Sequence, residues 1–310
     1  MPSLAGFGHY LPADTLTNAA LAAEFQVEPE WILKMCGIET RRVVAPGETV
    51  CDLAERAAQT CLQNAGISAD KLGAIIASTG TPHRMFPGVS AEVQKRLNAP
   101  GIPAFDVHLA SIGGLYGLAL AHRLCESWGP ILVVAAETMS RALAQGARAK
   151  ETAILFGDGA GACLVAPGQG SLSLRDIRVA SDASFSDALS MEYGSTLQMD
   201  GRTIIMHAVR KLSRSISELL EKNSLRADQV GLFVFHQANL RLLERLMKEL
   251  KINPSQCFVN GDKYGNTSSA SWLIAASEAK AAGLLRPGMK VVIAAFGAGL
   301  SWGAALVEVG

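Results

Sequence analysis

The sequence predicts an α/β protein in which the second half of the chain repeats the architecture of the first. Short apolar segments alternate with longer segments of helical periodicity, as a sheet covered by helices requires. GDGAGACLV at 157–165 closes the first half, and FGAGLSWGAALVEV at 296–309 closes the second in nearly the same way. ILVVAAE at 131–137 and KVVIAAFG at 290–297 each precede one of these glycine-rich segments, which indicates a duplication. The alternative is that buried strands simply resemble one another.

The predicted strands are short, apolar on both faces and ended by glycine or a polar cluster. They cover residues 73–78, 130–136, 231–235 and 290–295. The predicted helices lie between them, at residues 52–64, 114–127, 207–222 and 240–250. A loop-like stretch, PGQG at 167–170, separates the halves, so the sequence predicts domains at 1–167 and 168–310.

Composition and charge exclude several classes of function. The 28 basic and 28 acidic residues cancel, so no overall field favours nucleic acid or an anionic membrane, and an acidic partner needs a local basic patch. The N-terminus lacks the pattern of a signal peptide, and the best apolar run is too short to span a bilayer. Six cysteines without a CxxC pair or metal-like spacing predict reduced thiols. We therefore expect a soluble, cytoplasmic protein.

Ser111 is the first candidate for chemistry. It follows a predicted strand and opens a helix in FDVHLASIGGLYGLALAHRL. A helix N-terminus presents unpaired N–H groups and a partial positive charge, which stabilise an alkoxide and the oxyanion formed when it attacks a carbonyl. Gly113 and Gly114 are expected to keep the approach to the side chain open. The alternative is that Ser111 is only an N-cap.

Two further polar residues stand at the ends of predicted elements. His236, in VFHQANLR, comes at the carboxyl end of an apolar strand, where α/β folds place catalytic groups. Asn266, in KYGNTSSA, lies in a polar turn that opens a helix of small residues. A lone histidine is more often structural, and the asparagine alone is equally typical of a cap or turn.

Together, the segments DVHLASIG, HQANLR, YGNTSSAS and AFGAGLSWGAALV resemble, in order and spacing, the motifs of β-ketoacyl-acyl-carrier-protein synthase III. EWILKMCGIETRRVVAPGET and ILFGDGAGACLV extend the resemblance to essentially the whole chain. It implies the thiolase fold, with two duplicated α/β halves in a layered α-β-α-β-α arrangement, and a homodimer. It also implies a coenzyme A thioester as substrate, acyl carrier protein as partner, and neither a permanently bound cofactor nor a metal.

By this resemblance, His236 and Asn266 match the family's histidine and asparagine, whereas Ser111 stands where the family has its nucleophilic cysteine. In the family, the cysteine accepts an acyl group. The histidine and asparagine then hydrogen-bond the malonyl thioester oxygen and stabilise the enolate left by loss of carbon dioxide. Serine is a much weaker nucleophile at neutral pH unless a base takes its proton. Condensation through Ser111 is therefore expected to be slow unless His236 acts as that base.

Three explanations of the serine remain open. Ser111 is a replacement of a native cysteine, or a native nucleophile in a relative shifted to acyl selection, ester-forming transfer or hydrolysis, or a native but inert residue. The inert explanation leaves a decarboxylase or a non-catalytic partner subunit. Retention of both His236 and Asn266 argues against an inert site, which has no chemical need for them.

The resemblance also assigns residues around the nucleotide of coenzyme A. Trp31 matches a tryptophan that stacks on the adenine, and Lys150 replaces an arginine near the nucleotide, which loses bidentate geometry. Met35 and Met206 stand where the family usually has basic residues. Coenzyme A is thus expected to bind weakly or differently, which leaves acyl carrier protein as a possible preferred donor.

The remaining assignments concern the carrier protein, the acyl pocket and the oxyanion. Arg241 and Lys248 match basic residues that receive the acidic carrier protein. Phe86 matches a phenylalanine that closes the acyl pocket across the dimer interface, and neighbouring Arg84 is a candidate clamp for a dicarboxylic acyl chain. The backbone N–H groups of Ser111 and Ala298 would form the oxyanion hole.

The sequence thus predicts an acyltransferase that accepts an acyl group from a thioester and condenses it with malonyl-acyl-carrier protein with loss of carbon dioxide. One alternative is a serine-based acyltransferase or thioesterase that makes no carbon-carbon bond. Another is a catalytically silent subunit that binds a carrier protein.

Overall fold

The computed structural model describes residues 1–144, 149–168, 170–192 and 194–310. Its strands, in chain order, are β1 (Ser3–Tyr10), β2 (Asp14–Thr17), β3 (Thr40–Val43), β4 (Ala74–Ser78), β5 (Ala104–Val107), β6 (Ile131–Thr138), β7 (Asp158–Ala166), β8 (Leu172–Ser181), β9 (Leu189–Ser190), β10 (Gln198–Met199), β11 (Leu232–Phe235), β12 (Cys257–Phe258), β13 (Lys290–Gly297) and β14 (Ser301–Val309). Its α-helices are α1 (Asn18–Phe25), α2 (Pro29–Cys36), α3 (Val50–Ala65), α4 (Val89–Arg96), α5 (Gly113–Trp128), α6 (Met139–Leu143), α7 (Lys150–Ala153), α8 (Gly201–Lys222), α9 (Leu240–Leu250), α10 (Gly261–Tyr264) and α11 (Ser271–Ala281).

The main sheet consists of two five-stranded sets with the same connectivity. Its strand order is β12-β11-β13-β14-β8-β1-β7-β6-β4-β5. In the first set β5, β4 and β6 are parallel and β7 and β1 follow antiparallel; in the second, β12, β11 and β13 are parallel and β14 and β8 follow antiparallel. Among the described residues, a single residue pair, Ser3 with Ser173, joins the two sets.

Helices cover both faces of each set and produce five layers. α5 and α11 lie between the two sets, where α11 is buried on nearly every side, as its run of alanine and other small or apolar residues requires. α3 packs on the outer face of the first set, and α8 packs on the outer face of the second with α9 beside it. This is the layered α/β arrangement that the sequence predicts.

The predicted elements are present with ends shifted by one or two residues, except that α8 begins at Gly201, six residues before the predicted start. The four predicted strands are β4, β6, β11 and β13, and the four helices are α3, α5, α8 and α9. The glycine-rich segments form β7 and β14, each paired antiparallel with the apolar strand before it. The predicted domain boundary falls between β7 and β8; Gln169 of that junction lies outside the described residues, and the division into two domains stays a prediction. All six cysteines are free thiols, as predicted.

Candidate active site

One cavity of about 370 Å³ brings Ser111, His236 and Asn266 together. Ser111 comes from the segment between β5 and α5, His236 directly follows β11, and Asn266 precedes α11. All three side chains are buried, with relative exposures of 7%, 5% and 5%. The three motifs, which are far apart in sequence, therefore meet at one place, and their catalytic roles stay a prediction.

Ser111 is not the N-cap of α5. That position belongs to Ile112, whose side chain makes no capping hydrogen bond, and the helix begins at Gly113. Among the residues that the structure describes, the Ser111 hydroxyl has no hydrogen-bond partner. The N-cap explanation of this serine is therefore wrong, and its hydroxyl remains available to a ligand in the cavity.

The turn after β13 approaches Ser111 closely. A Cβ atom added to Gly297 would lie 2.9 Å from the Ile112 nitrogen and 3.3 Å from the Ser111 Cβ, so only glycine fits without a shift. Within the described part of the chain, the backbone N–H groups of Ser111 and Ala298 donate to no acceptor. Two unpaired donors near the Ser111 side chain are what an oxyanion hole needs, although Ala298 itself does not line the cavity.

Gly113 and Gly114 have a different role from the one that the sequence suggested. A Cβ atom at Gly113 would lie 1.8 Å from the Ser78 hydroxyl, and one at Gly114 would lie 2.7 Å from the Ser269 carbonyl oxygen. These glycines allow α5 to pack against β4 and against the segment before α11. They position the helix, and the structure gives no sign that they open the approach to Ser111.

His236 is held by the first residue of α11. Its Nδ1 lies 2.5 Å from the Ser271 hydroxyl oxygen, which also accepts a hydrogen bond from the Gln237 N–H at 3.2 Å. The buried Gln237 side chain donates to the carbonyls of Phe235 and Phe258 and accepts from the N–H groups of Asn260 and Gly261. The imidazole orientation is thus fixed, and Nε2 is left for a ligand.

Burial lowers the pKa of His236 to about 3, so the imidazole is neutral at pH 7. A neutral imidazole can hydrogen-bond a carbonyl oxygen or enolate but is a weak proton acceptor. Because the folded pKa is below the ordinary value of 6.5, the unfolded chain binds a proton first as the pH falls. The stabilising contribution of this group is therefore complete above about pH 6.5 and is lost as the pH falls toward 3.

The Asn266 side chain has a defined orientation because its own turn uses one end of the amide. Oδ1 accepts a hydrogen bond from the Ser268 N–H at 2.8 Å, which directs the donating Nδ2 end toward the cavity. The backbone is anchored by a hydrogen bond from Asn266 N–H to the Leu155 carbonyl and one from Gly157 N–H to the Asn266 carbonyl. The site therefore presents an N–H donor from Asn266 beside the neutral His236.

A buried carboxylate, Glu137 at the end of β6, supports the segment that follows Asn266. It is fully buried and accepts hydrogen bonds from Ser269 Oγ at 2.5 Å, Thr81 Oγ1 at 2.9 Å and the Gly80 N–H at 3.0 Å. Burial raises its pKa, and the hydrogen bonds oppose that rise. Glu137 thus connects the loop after β4 with the turn that carries Asn266. The sequence shows an acidic residue at the end of the apolar run ILVVAAE, but it does not reveal these hydrogen-bond partners.

We predict that Glu137→Gln lowers the free energy of unfolding by about 1–3 kcal/mol, because the amide nitrogen would face at least one N–H donor and leave it unsatisfied. It should also reduce any activity that depends on Asn266. The measurement is denaturant unfolding followed by an activity assay.

Asp158→Asn is the matched control. Asp158 is equally buried and accepts hydrogen bonds from Val44 N–H and Ser140 N–H, both at 2.8 Å, and its side chain makes no hydrogen bond to the described residues of the Asn266 turn. The Asp158→Asn variant should therefore be less stable than the unchanged protein but keep any activity that depends on Asn266. Equal effects of the two variants on that chemistry would contradict a positioning role for Glu137.

The mouth of the cavity carries the aromatic and basic residues expected near a nucleotide. Trp31 lines the cavity, and the Lys150 ammonium lies 5.4 Å from its ring centroid, within cation-π distance. Met35 and Met206 are exposed nearby, at 49% and 60%. The two methionines add no positive charge near the entrance, and weak binding of coenzyme A stays a prediction.

The two basic residues expected to meet a carrier protein differ in their surroundings. Arg241 donates to the carbonyls of Leu33 and Lys34 at the C-terminus of α2 and so anchors the helix that bears Trp31. Lys248 is exposed on α9 and, within the described residues, makes no ion pair. Arg241 thus has a structural contact that the sequence did not reveal.

Phe86 and Arg84 do not line the cavity of Ser111. Phe86 is 83% exposed, and Arg84 pairs with Glu92 beside a separate cleft. Their role in an acyl pocket across a dimer interface stays a prediction.

Sequence reasoning missed Ser271 and Gln237, which orient His236. Both are ordinary polar residues with no spacing signal. The packing of α11 against β11 brings Ser271 to His236, and the segment from Phe258 to Gly261 supplies partners for the Gln237 side chain. In the described part of the chain, no group of three His, Cys, Asp or Glu side chains could hold a metal ion. Every described helix is too short or too polar to span a lipid bilayer.

Comparison with solved structures identifies the fold class. The solved 3-oxoacyl-[acyl-carrier-protein] synthase III from Aquifex aeolicus VF5 superposes with a TM-score of 0.95 at 35% identity, covering 99% of this chain and 100% of that one. The corresponding enzyme from Pseudomonas aeruginosa PAO1 superposes with a TM-score of 0.93 at 31% identity, covering 99% and 98%. The chain has the thiolase fold.

The family follows from the sequence comparisons. The family models described as 3-Oxoacyl-[acyl-carrier-protein (ACP)] synthase III and its C-terminal part match residues 105–183 and 220–309. The β-ketoacyl-[acyl-carrier-protein] synthase III of Oleidesulfovibrio alaskensis is 38% identical over 98% of this chain and 97% of its own length. The chain belongs to the β-ketoacyl-acyl-carrier-protein synthase III family of acyltransferases.

Proposed function

We propose that this protein transfers an acyl group from a thioester donor to the Ser111 hydroxyl and condenses it with malonyl-acyl-carrier protein. In the first step Ser111 Oγ attacks the acyl carbonyl, the thiol leaves with the serine proton, and an oxyester forms. In the second, the malonyl carboxylate leaves as carbon dioxide, and the resulting enolate attacks the oxyester. The serine leaves as an alkoxide and takes a proton from water, which regenerates its hydroxyl, and a β-ketoacyl thioester is released.

The observation that carries this proposal is the convergence of Ser111, His236 and Asn266 in one buried cavity. The Asn266 amide donates into the cavity, and the neutral His236 can donate or accept there. An enolate oxygen placed between these groups is stabilised without any proton transfer. The unpaired N–H groups of Ser111 and Ala298 favour the tetrahedral oxyanion of the acyl-transfer step.

The donor is an acyl thioester, and the mouth of the cavity favours a carrier protein over free coenzyme A. Trp31 offers an aromatic surface for an adenine, and Lys150 supplies a positive charge beside it. The exposed Met35 and Met206 supply none. Acyl-coenzyme A is therefore proposed as a usable but weakly held donor, with no permanently bound cofactor.

The proposed docking surface for the acidic carrier protein is a groove between α8 and α9. Its lining is strongly basic and includes Arg202, Arg210, Arg214, Arg226, Arg245, Lys248 and Lys251. Arg202 and Ile205 line both this groove and the catalytic cavity, so a carrier protein bound here would have its prosthetic arm near the entrance. Because the chain has no net charge, an acidic partner needs a local basic patch, and this groove supplies one.

We predict that the double variant Arg245→Glu, Lys248→Glu raises the KM for a carrier-protein thioester at least about 10-fold, because it reverses the charge that attracts the partner. The KM for an acyl-coenzyme A thioester should change little. The effect should shrink as salt is added. Lys71→Glu, an exposed charge reversal on a short helical turn before β4, is the control. A loss of the same size in Lys71→Glu would contradict the proposed docking surface.

A homodimer is proposed from the free edge of the sheet. β5 is the last strand of the sheet, and the neighbouring loop exposes Met85 and Phe86 at 73% and 83%. An open edge beside an exposed apolar patch favours pairing with a second copy. The solution mass, measured by light scattering, tests it: a dimer supports the proposal, and a monomer at micromolar concentration excludes it. The cytoplasmic location stays a prediction.

Serine-based acyl transfer without carbon-carbon bond formation is a second candidate. It is favoured by the oxyester that Ser111 would form, because an oxyester is a poorer electrophile than a thioester and therefore slows attack by the enolate.

The test is to supply an acyl-coenzyme A donor and malonyl-acyl-carrier protein and to measure carbon dioxide and the β-ketoacyl product, with Ser111→Cys in parallel. Both products from the protein as it stands support the proposal. Transfer of the acyl group without carbon dioxide supports the second candidate. If the protein as it stands gives neither product and Ser111→Cys gives both, the serine is a disabled cysteine. If both proteins are inactive, the silent subunit is favoured.

A further inference from the structure

Glu278 on α11 holds the segment before Asn266 at two points. Its Oε1 accepts a hydrogen bond from the Tyr264 hydroxyl at 2.6 Å, and its Oε2 accepts one from Asn260 Nδ2 at 2.9 Å. Asn260 directly precedes α10, and Tyr264 is the last residue of that helix. Glu278 and its two donors do not line the catalytic cavity. The carboxylate therefore lies outside the cavity and can affect its chemistry only through other residues.

Tyr264 connects Glu278 to Asn266, which follows two residues later in the chain. The residue between them is Gly265, where an added Cβ atom would lie 2.9 Å from the Leu155 carbonyl oxygen. Asn266 N–H donates to that same carbonyl at 2.8 Å. With the Tyr264 hydroxyl held on one side and the Asn266 N–H on the other, the turn that carries the Asn266 side chain is fixed at both ends.

Asn260 connects Glu278 to His236. The Asn260 side chain donates to Glu278, and its backbone N–H donates to Gln237 Oε1 at 3.3 Å. The Gln237 N–H donates to Ser271 Oγ, which lies 2.5 Å from His236 Nδ1. A continuous series of hydrogen bonds thus runs from the carboxylate to the imidazole.

One helix supplies both ends of this arrangement. Ser271 and Glu278 are the first and eighth residues of α11, which is close to two full turns, so their side chains project from the same face. Ser271 contacts His236, and Glu278 contacts the segment that leads to Asn266. The relative position of these two cavity residues therefore depends on a single buried helix and on the two polar side chains along one of its faces.

We propose that Glu278 is a positioning residue that fixes His236 and Asn266 relative to each other, so that both are directed at one enolate oxygen. The inference rests on the proposed function for the reaction that these two residues serve. Preorganised donors stabilise an oxyanion only when they are directed at the position it occupies. A misplacement of about 1 Å can cost about 10²-fold in rate.

The first test is Tyr264→Phe, which removes only the hydroxyl that binds Glu278. The kcat for decarboxylation of malonyl-acyl-carrier protein should fall about 10-fold. The KM should change little because Tyr264 does not line the cavity, and formation of the acyl adduct at residue 111 should be unaffected. In an Asn266→Ala background the same substitution should change the remaining rate little, because the residue that Tyr264 positions is then absent.

Tyr10→Phe is the matched control. The Tyr10 hydroxyl also donates to a half-buried glutamate, Glu48, at 2.8 Å, and an arginine side chain lies over the Tyr10 ring as one does over the Tyr264 ring. Tyr10 does not line the cavity. Tyr10→Phe should lose thermal stability as Tyr264→Phe does and keep the decarboxylation rate.

A second pair of variants changes Glu278 itself. In Glu278→Gln the amide oxygen can accept from Asn260 and the amide nitrogen can donate to the Tyr264 oxygen, so most of the kcat should remain. Glu278→Leu keeps the bulk of the side chain, removes both acceptors and should lower kcat about 10²-fold. Equal effects of Tyr264→Phe and Tyr10→Phe, a full effect of Tyr264→Phe in the Asn266→Ala background, or Glu278→Gln as inactive as Glu278→Leu would overturn the inference.

Hydrogen exchange of the backbone amides, measured without substrate, separates this inference from the proposed function. Exchange in the segment 260–271 should be faster in Tyr264→Phe and Glu278→Leu than in Tyr10→Phe. That result in a protein that releases no carbon dioxide would keep the positioning of the two residues and reject the condensation. Unchanged exchange and an unchanged decarboxylation rate in Tyr264→Phe, in a protein that does release carbon dioxide, would do the reverse.

Discussion

Replacement of Ser111 with alanine is expected to abolish the covalent acyl adduct that an acyl-coenzyme A donor forms with the protein. The Ser111 hydroxyl lies in the cavity without a hydrogen-bond partner among the described residues, beside two unpaired backbone N–H groups. Alanine keeps the backbone donors and removes only the nucleophile. The measurement is the intact mass of the protein after incubation with a panel of donors.

Replacement with cysteine is expected to increase the rate of adduct formation by about 10²-fold or more. A serine that lacks a general base forfeits roughly 10²–10⁴ in rate. His236 is a poor base because burial lowers its pKa to about 3 and its Nδ1 is bonded to Ser271. A cysteine is partly ionised at neutral pH and needs that base much less. An adduct on the alanine variant, or a serine protein as fast as the cysteine variant, would show that this account of the nucleophile is wrong.

Removing the Asn266 donor is expected to lower the rate of malonyl decarboxylation by about 10²–10³-fold, as the loss of one preorganised donor to an oxyanion does in other enzymes. Asn266→Ala removes both the donor and the oxygen that accepts from Ser268 N–H. Asn266→Asp keeps an oxygen for that turn, removes the donor and adds a negative charge that also opposes an enolate. Release of carbon dioxide from malonyl-acyl-carrier protein measures the effect.

Comparison of the two variants separates chemistry from folding of the turn. If the donor matters, both lose activity to a similar extent, while adduct formation at residue 111 changes little. An active Asn266→Asp beside an inactive Asn266→Ala would assign Asn266 to the turn alone. Because His236 stays neutral down to about pH 3, its titration should cause no change in the decarboxylation rate near pH 6.5 in a pH–rate profile.

Much of the fold could be predicted from local pattern. β6 and β13 are continuous apolar runs that are buried on both faces. Such runs, each followed by a glycine-rich segment, can be recognised in the amino-acid sequence. The three motifs also gave Ser111, His236 and Asn266. Their order and spacing, rather than any single residue, made them recognisable.

Other features were out of reach because they depend on contacts between distant segments. Glu137 receives hydrogen bonds from residues 56 and 132 positions away, and Ser271 reaches His236 across 35 positions. Arg241 was assigned to the carrier protein by resemblance, and the structure shows that it also holds the end of α2. Gly113 was expected to leave space beside the nucleophile, but a side chain at this position would instead collide with Ser78.

The sequence by itself predicted the α/β class from periodicity, and it predicted the family and three residues of the cavity, Ser111, His236 and Asn266, from the resemblance of its motifs. Tertiary structure alone decided which end of the Asn266 amide its own turn uses and why His236 is neutral. The physical reason is that hydrogen-bond geometry, burial and empty space are properties of packed neighbours, and periodicity along a chain does not reveal them.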